Sequence, residues 1–452
     1  MDSPREAPGD PSLFDIQKVL ESFRDPLRVL TDIRRKYGDI VLTRFFNRRY
    51  YLVSDSEAVR HVLVENHKNY HKSTNYVGIK YLLGEGLLTS EGDTWRRQRK
   101  LAQPAFHHDK LAALVPAMAE CTKDMLDRWA RELPVGIAFD VHKEMMRLTF
   151  RIVGRTLLSA ELDGEAKAFG NALNVGLKWA NDMAESLIRV PPSVPTRKNR
   201  EMKKAMVSID RVVERVITER RDDPNPPADL LTMLMAARDS GSGMSDKQLR
   251  DELLTMVLAG HETTANTLTF TLFLLSKHPD VRKKVEAEVR EVLGDRAPVL
   301  ADLPKLRYTT QVLEESMRLY PPAWMIERQA LEDDVICGYR VPKGSVIGIS
   351  SFVIHRRADL WPNPEGFDPD RFTPANAAQR PKYAYMPFGG GPRTCIGNGF
   401  SMMELQVILP MIIQRTRLDL EPGFRLELDP SITLRPTHGI PVTRSPVELP
   451  RS

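Results

Sequence analysis

The rhythm of hydrophobic and polar positions changes twice along the chain. Between Asp39 and Val53, β-branched and aromatic residues form two short runs with Asn47-Arg48 between them, which predicts a β-hairpin. From Ser56 to about Thr310 apolar residues recur at helical spacing, broken by clusters of Pro, Asp and Asn. The sharpest break, Arg221-Asp222-Asp223-Pro224-Asn225-Pro226-Pro227, ends one predicted helix before another over Ala228 to Arg238. After Pro321-Pro322 the pattern shortens to β-like runs such as Val346 to Phe352, divided by Gly and Pro. A last helix is expected beyond Cys395, followed by short strands and turns. With no internal repeat and no Gly/Ser linker, the pattern reads as one helix-rich α+β domain, mainly α with small β-sheets, spanning 1–452 with residues 1–14 as a flexible arm.

One predicted helix is unusual. Ser245 and Gln248 have the spacing of a capping box, and the apolar pattern then runs to Lys277, where His278-Pro279 stops it. Such a helix of about 32 residues is roughly 48 Å long, enough to cross a whole domain. Its middle, Val257 to Ala265, sets a glycine, an acid and two hydroxyls inside an apolar span. A buried glycine costs about 1 kcal/mol against alanine there, and a buried carboxylate costs more unless it is paired. Two readings follow: a polar stripe facing solvent, or a kinked helix whose polar notch faces a ligand. His261-Glu262 lacks the second histidine of a zinc-protease helix.

Composition narrows the classes. The chain has 452 residues, 42% hydrophobic and 28% charged, ample for a large core. Three cysteines, Cys121, Cys337 and Cys395, exclude a disulfide scaffold and leave at least one thiol unpaired. The net charge of +5 does not predict nucleic-acid binding. The polar, proline-rich N-terminus has no apolar signal region, and no stretch reaches the roughly 18 apolar residues of a membrane span. The expectation is a soluble, cytoplasmic protein without a transmembrane anchor, its cysteines kept as thiols.

The strongest local signal is Met386-Pro387-Phe388-Gly389-Gly390-Gly391-Pro392-Arg393-Thr394-Cys395-Ile396-Gly397. Three glycines and two prolines predict a tight loop that presents Cys395 just before a helix, where the helix dipole eases ionisation of the thiol. Gly391 and Gly397 allow backbone to approach a flat ligand. The loop has too few soft ligands for a zinc site; a cysteine nucleophile with a distant histidine base stays open at this point.

Phe388-x-x-Gly391-x-Arg393-x-Cys395-x-Gly397 resembles the haem-binding loop of the cytochrome P-450 superfamily. Three further segments resemble that superfamily in the expected order. Ala259-Gly260-x-Glu262-Thr263-Thr264 looks like its oxygen-activation segment. Glu315-x-x-Arg318 and Phe367-Asp368-Pro369-Asp370-Arg371-Phe372 look like its Glu–Arg–Arg network. A lone Glu-x-x-Arg means little, since such pairs are common on helix surfaces; four segments in order, over nearly the whole chain, are specific. The resemblance implies a soluble bacterial-type haem-thiolate monooxygenase holding haem b (iron protoporphyrin IX), with Cys395 as the iron ligand. Thiolate donation favours O–O cleavage. Phe388 would lie beside the sulfur, and Ala259, Gly260 and Gly397 would approach the macrocycle. Trp95, Arg99, Arg393 and, less closely matched, Arg328 would serve the propionates. Glu262 and Thr263 would form the acid–alcohol pair that delivers protons. Glu315, Arg318 and Arg371 would be structural. Ala259 stands where some fatty-acid hydroxylases carry a glutamate that bonds covalently to haem, so no such link is expected. Cys121 and Cys337 carry no motif, and His355 is expected beside the charge network.

The same resemblance implies electrons from NAD(P)H through a separate reductase and a ferredoxin or flavodoxin, because only 57 residues follow Cys395. Arg96, Arg97, Lys100, Lys110, Arg380 and Lys382 are candidates for an acidic partner's docking patch, or a solvated charged face. By the same resemblance a pocket is expected from segments 76–88, 174–188, 256–263, 323–326 and 438–440, mostly apolar, which implies a lipophilic substrate. The motifs point first to a fatty acid, then to a terpenoid, steroid or polyketide. Two alternatives are a peroxide-driven peroxygenase and a non-catalytic haem sensor; the intact Glu262-Thr263 pair disfavours both. The chain is expected to act as a monomer.

Overall fold

The computed structural model describes residues 4–10, 21, 24–45, 48–159, 166–186, 189–227, 229–239, 241 and 243–447. Half of the expected arm (1–3 and 11–14), Asn47 of the predicted turn, Ala228 and Ile188 lie outside them. The principal helices are α1 (Pro26–Tyr37), α2 (Val77–Leu83), α3 (Gly92–Ala102), α4 (Val115–Glu132), α5 (Val141–Leu157), α6 (Ala166–Glu185), α7 (Arg197–Asp222), α8 (Asp246–Lys277), α9 (Pro279–Leu293), α10 (Arg307–Leu319) and α11 (Asn398–Arg415).

Four small sheets flank them. The strands are β1 (Gly9–Asp10), β2 (Ile40–Phe45), β3 (Arg48–Val53), β4 (Tyr70–His71), β5 (Phe139–Asp140), β6 (Ile326–Ala330), β7 (Asp334–Ile336), β8 (Tyr339–Val341), β9 (Val346–Ile349), β10 (Thr416–Leu420), β11 (Leu428–Pro430), β12 (Leu434–Pro436) and β13 (Pro441–Pro446). The main sheet has the order β1-β2-β3-β9-β6-β4. The predicted hairpin is β2–β3, in register from Ile40↔Val53 to Phe45↔Arg48, so Arg48 opens a strand instead of sitting in the turn. Within the expected arm, residues 4–10 carry backbone pairing. Gly9–Asp10 pairs in parallel with β2 and Arg5 bridges to Tyr339, since the β2 edge offers unpaired backbone groups. Ser351–Ile354 is a short helix, so the β-like run ends at Ile349 and does not reach Phe352.

Helix α8 starts and stops as expected, with Ser245 and Gln248 forming the capping box. It is apolar on nearly every face and therefore buried, packed against α5, α7, α10 and α11. Its hydroxyls reach back to carbonyls four residues earlier: Thr255 to Asp251, Thr263 to Ala259, Thr267 to Thr263, Thr269 to Ala265, Thr271 to Thr267 and Ser276 to Leu272. This is how so many hydroxyls are buried without being left unpaired. The helix is continuous through Gly260, so the expected kink is not a break in its hydrogen bonding. The solvent-stripe reading also falls, because His261, Glu262 and Thr264 are buried. One large hydrophobic cluster surrounds α8, and a second joins the main sheet to Leu63 and Met386.

Candidate functional site

The site grows from the segment before α11. Gly389 and Gly391 have φ of 71° and 68°, values that favour glycine. A Cβ on Gly391 would also run into the Leu63 carbonyl oxygen. This loop folds back so that the Cys395 N–H donates to the Phe388 carbonyl at 2.9 Å. Cys395 is crowded by protein yet keeps accessible surface. Burial pushes its thiol up, while the Gly397 N–H and the Arg99 guanidinium draw it back toward the thiolate. Arg99 also donates to the Thr394 carbonyl at 2.9 Å, which ties α3 to the cysteine loop.

Helix α8 presents a second face. Ala259 and Thr263, one turn apart, keep accessible surface in the middle of an otherwise buried helix. The Thr263 hydroxyl donates to the Ala259 carbonyl at 2.7 Å. Glu262 does not share that face. Its Oε1 accepts from the Thr433 hydroxyl at 2.7 Å and lies 3.8 Å from Arg435, so it is anchored to the β11–β12 hairpin. Burial pushes its carboxyl up, with Thr433 pulling the other way. Glu262 and Thr263 are thus neighbours in sequence whose side chains lie in different environments.

Toward the main sheet, a cavity of about 550 Å³ is lined by Leu63, Lys68, Trp95, Arg328, Pro392 and Arg393 among others. The Arg393 guanidinium stacks 4.4 Å from the Trp95 ring centroid, pairs with Glu91 and donates to the Ser90 carbonyl at 3.0 Å. Burial lowers Arg393 to about 10 against the pull of Glu91. Burial, then Arg328 and Arg393, drive Lys72 well down. The sequence reading missed Lys72 and Glu91, which carry no motif; only the fold places them beside Arg393.

The Glu–Arg–Arg residues do meet. Arg318 makes two bonds to Glu315 at 2.6 and 2.7 Å, both side chains fully buried. It also donates to the carbonyls of His355, Pro364 and Gly366. Arg371 lies 3.4 Å from Glu315, whose other contact is the Asp368 N–H at 2.9 Å. His355 adds Nε2 as acceptor for the Met386 N–H at 3.0 Å, holding the start of the cysteine loop. The supposed docking cations are partly engaged: Arg96 with Asp93, Lys100 with Asp239, and Arg380 with the Arg371 carbonyl. Cys121 is buried core, while Cys337 is exposed in the turn between β7 and β8.

A family model described as "Cytochrome P450" matches residues 7–441. The chain belongs to the cytochrome P450 family. It is 36% identical to the cyclooctatin synthase of Streptomyces melanosporofaciens, over 93% of this chain and 92% of that one. The same organism's cyclooctat-9-en-7-ol 5-monooxygenase is also 36% identical, over 93% and 90%. Among solved structures, the retinoic acid-bound cyanobacterial CYP120A1 is similar with a TM-score of 0.88 at 27% identity, covering 99% of this chain and 100% of that one. This P450 is therefore a haem-dependent monooxygenase.

The residues present fit haem. Among the described residues there is no cluster of three or more His, Cys, Asp or Glu that could hold a metal; haem needs only a single protein thiolate, which Cys395 would supply. The cavity wall holds the cations Lys68, Arg96, Arg328 and Arg393 against the single carboxylate of Glu91. Two propionates would find cationic partners there. Among the described residues no helix is long and apolar enough to cross a membrane.

Proposed function

We propose that Cys395 is the proximal iron ligand and that the accessible face of α8 at Ala259 and Thr263 borders the oxygen-activation side. The carrying observation is the cysteine loop itself. Its cysteine keeps accessible surface, and the Gly397 N–H and Arg99 draw the thiol toward the thiolate. When bound, haem supplies the redox chemistry that inserts one oxygen atom from O2. The chain's own part is to hold, orient and deliver protons. Arg328, Arg393 and Trp95 hold the propionate edge, while Gly260, Phe388 and Gly397 keep backbone close to the ring. Thr263 Oγ1 is the local proton donor, resting on the Ala259 carbonyl. Glu262 is the resupplying acid in this reading, supported by its bond from Thr433 on the hairpin side, where Asn266 and His142 continue the hydrogen-bonded chain at 3.3 and 3.0 Å. Glu315, Arg318 and Arg371 hold the fold around the loop, within a single domain.

We further read the substrate as lipophilic. The names of two relatives, a cyclooctat-9-en-7-ol monooxygenase and a retinoic acid-bound protein, move a terpenoid ahead of a fatty acid. A ferredoxin or flavodoxin with its reductase brings electrons from NAD(P)H in the cytoplasm, to a monomer. The deciding experiment is the spectrum of reduced protein under carbon monoxide. Wild type gives the red-shifted Soret band of a thiolate ligand and Cys395→Ser loses it; a band that survives the substitution overturns the assignment. Product formed with ferredoxin and reductase, against product with peroxide alone, separates the monooxygenase from a peroxygenase.

A further inference from the structure

The cavity at the propionate edge contains an acid where only cations would be expected. Glu91 occupies the N-cap position of α3, where a polar side chain ordinarily accepts from the first free N–H groups of the helix. Its side chain makes no such bond. Instead Oε1 accepts the Lys72 backbone N–H at 2.8 Å, and Oε2 pairs with Arg393. Arg393 is thereby held between Glu91 and the Trp95 ring. A carboxylate that gives up its local partners for two distant ones ties three segments together: β4, the start of α3 and the cysteine loop.

We propose that Glu91 is a positioning residue for the haem, fixing the Arg393 guanidinium at the propionate edge and lowering the reduction potential of the iron through its negative charge. The proposal rests on the haem reading above. Without Glu91 the cavity loses its one lining carboxylate, and the loss of a negative charge favours the added electron. The Arg393 guanidinium would then be free to turn wholly to a propionate, which acts in the same direction.

The test compares holoenzymes of wild type, Glu91→Gln, Glu91→Asp and Glu91→Ser by spectroelectrochemical titration. Serine removes the charge but supplies a good N-cap for α3, so it stands in if glutamine disturbs the fold. Gln and Ser are expected to raise the ferrous-to-ferric ratio at fixed potential about tenfold, a shift of about 59 mV for one electron, while Asp stays near wild type. Unchanged potentials in Gln and Ser overturn the proposal, as does a shift in Asp as large as in Gln, since charge would then not be the cause. A wild type without the carbon monoxide band would overturn the haem-thiolate reading itself, a failure distinct from either of these.

Discussion

At the scale of single residues, the site separates two groups that the sequence sets side by side. Thr263 and Glu262 differ by about 100° around α8, so one faces the accessible stripe with Ala259 and the other meets Thr433 on the hairpin. The motif was legible, but the division of labour was not, because the Thr433 hydroxyl lies far along the chain. The backbone of α8 is continuous, so Thr263 can lose its hydroxyl without loosening the helix. Thr263→Ala should therefore change stability by under about 1 kcal/mol. It should retain haem and consume NAD(P)H at a similar rate while product per oxygen falls severalfold. Unchanged coupling would remove Thr263 from proton delivery. Glu315 and Arg318 were legible only in company: an i,i+3 pair alone is common on helix surfaces, and the three other segments in order gave it meaning. Lys72 and Glu91 had no such local signature.

At the scale of elements, α8 also organises the segment that leads into α3. Asp251 accepts the Glu85 N–H at 2.9 Å and Glu252 accepts the Leu87 N–H at 3.0 Å, so two carboxylates on one helix grip the backbone of the 84–90 loop. Gln98 of α3 donates to the Glu85 carbonyl and accepts from Ser90. The grip works only because Gly84 and Gly86 lie against α8; a Cβ on Gly86 would strike Thr255 Oγ1 and the Asp251 carbonyl. Gly86→Ala should cost about 1–3 kcal/mol as overpacking does, and should speed amide exchange at Glu85 and Leu87. Exchange at wild-type rates would mean that the loop shifts at no cost. The bounds of α8 were readable from caps and stop signals. The loop that seats on it was not, because backbone N–H groups bonded to distant carboxylates leave no periodicity in the sequence.

At the scale of the whole molecule, the buried titratable groups oppose one another. Burial pushes Glu252 up to about 7, and the same cause raises Glu314 to about 7. Such a carboxyl adds stability fully below its ordinary 4.5, and the contribution is lost as pH rises through about 7. Burial lowers His261 to about 4 and His355 to about 3. Each imidazole adds stability above its ordinary 6.5 that is lost as pH falls toward those values. Between these ordinary values the two sets pull in opposite directions, which flattens the pH profile. Glu252→Gln keeps an acceptor for Leu87 but removes one proton site. Its stability relative to wild type should fall by about 1.4 kcal/mol per pH unit on acidification through that window, read from denaturant midpoints; parallel curves would contradict the assignment. The order of the main sheet has a different consequence, one of timing. β3 pairs with β9, and their paired residues lie about 300 positions apart in the chain. At about 5–20 residues per second of synthesis, the β2–β3 hairpin waits roughly 15–60 s for that neighbour. Until then, an apolar strand with an open edge depends on the charges of Arg48 and Arg49, or on a chaperone, to keep other chains away.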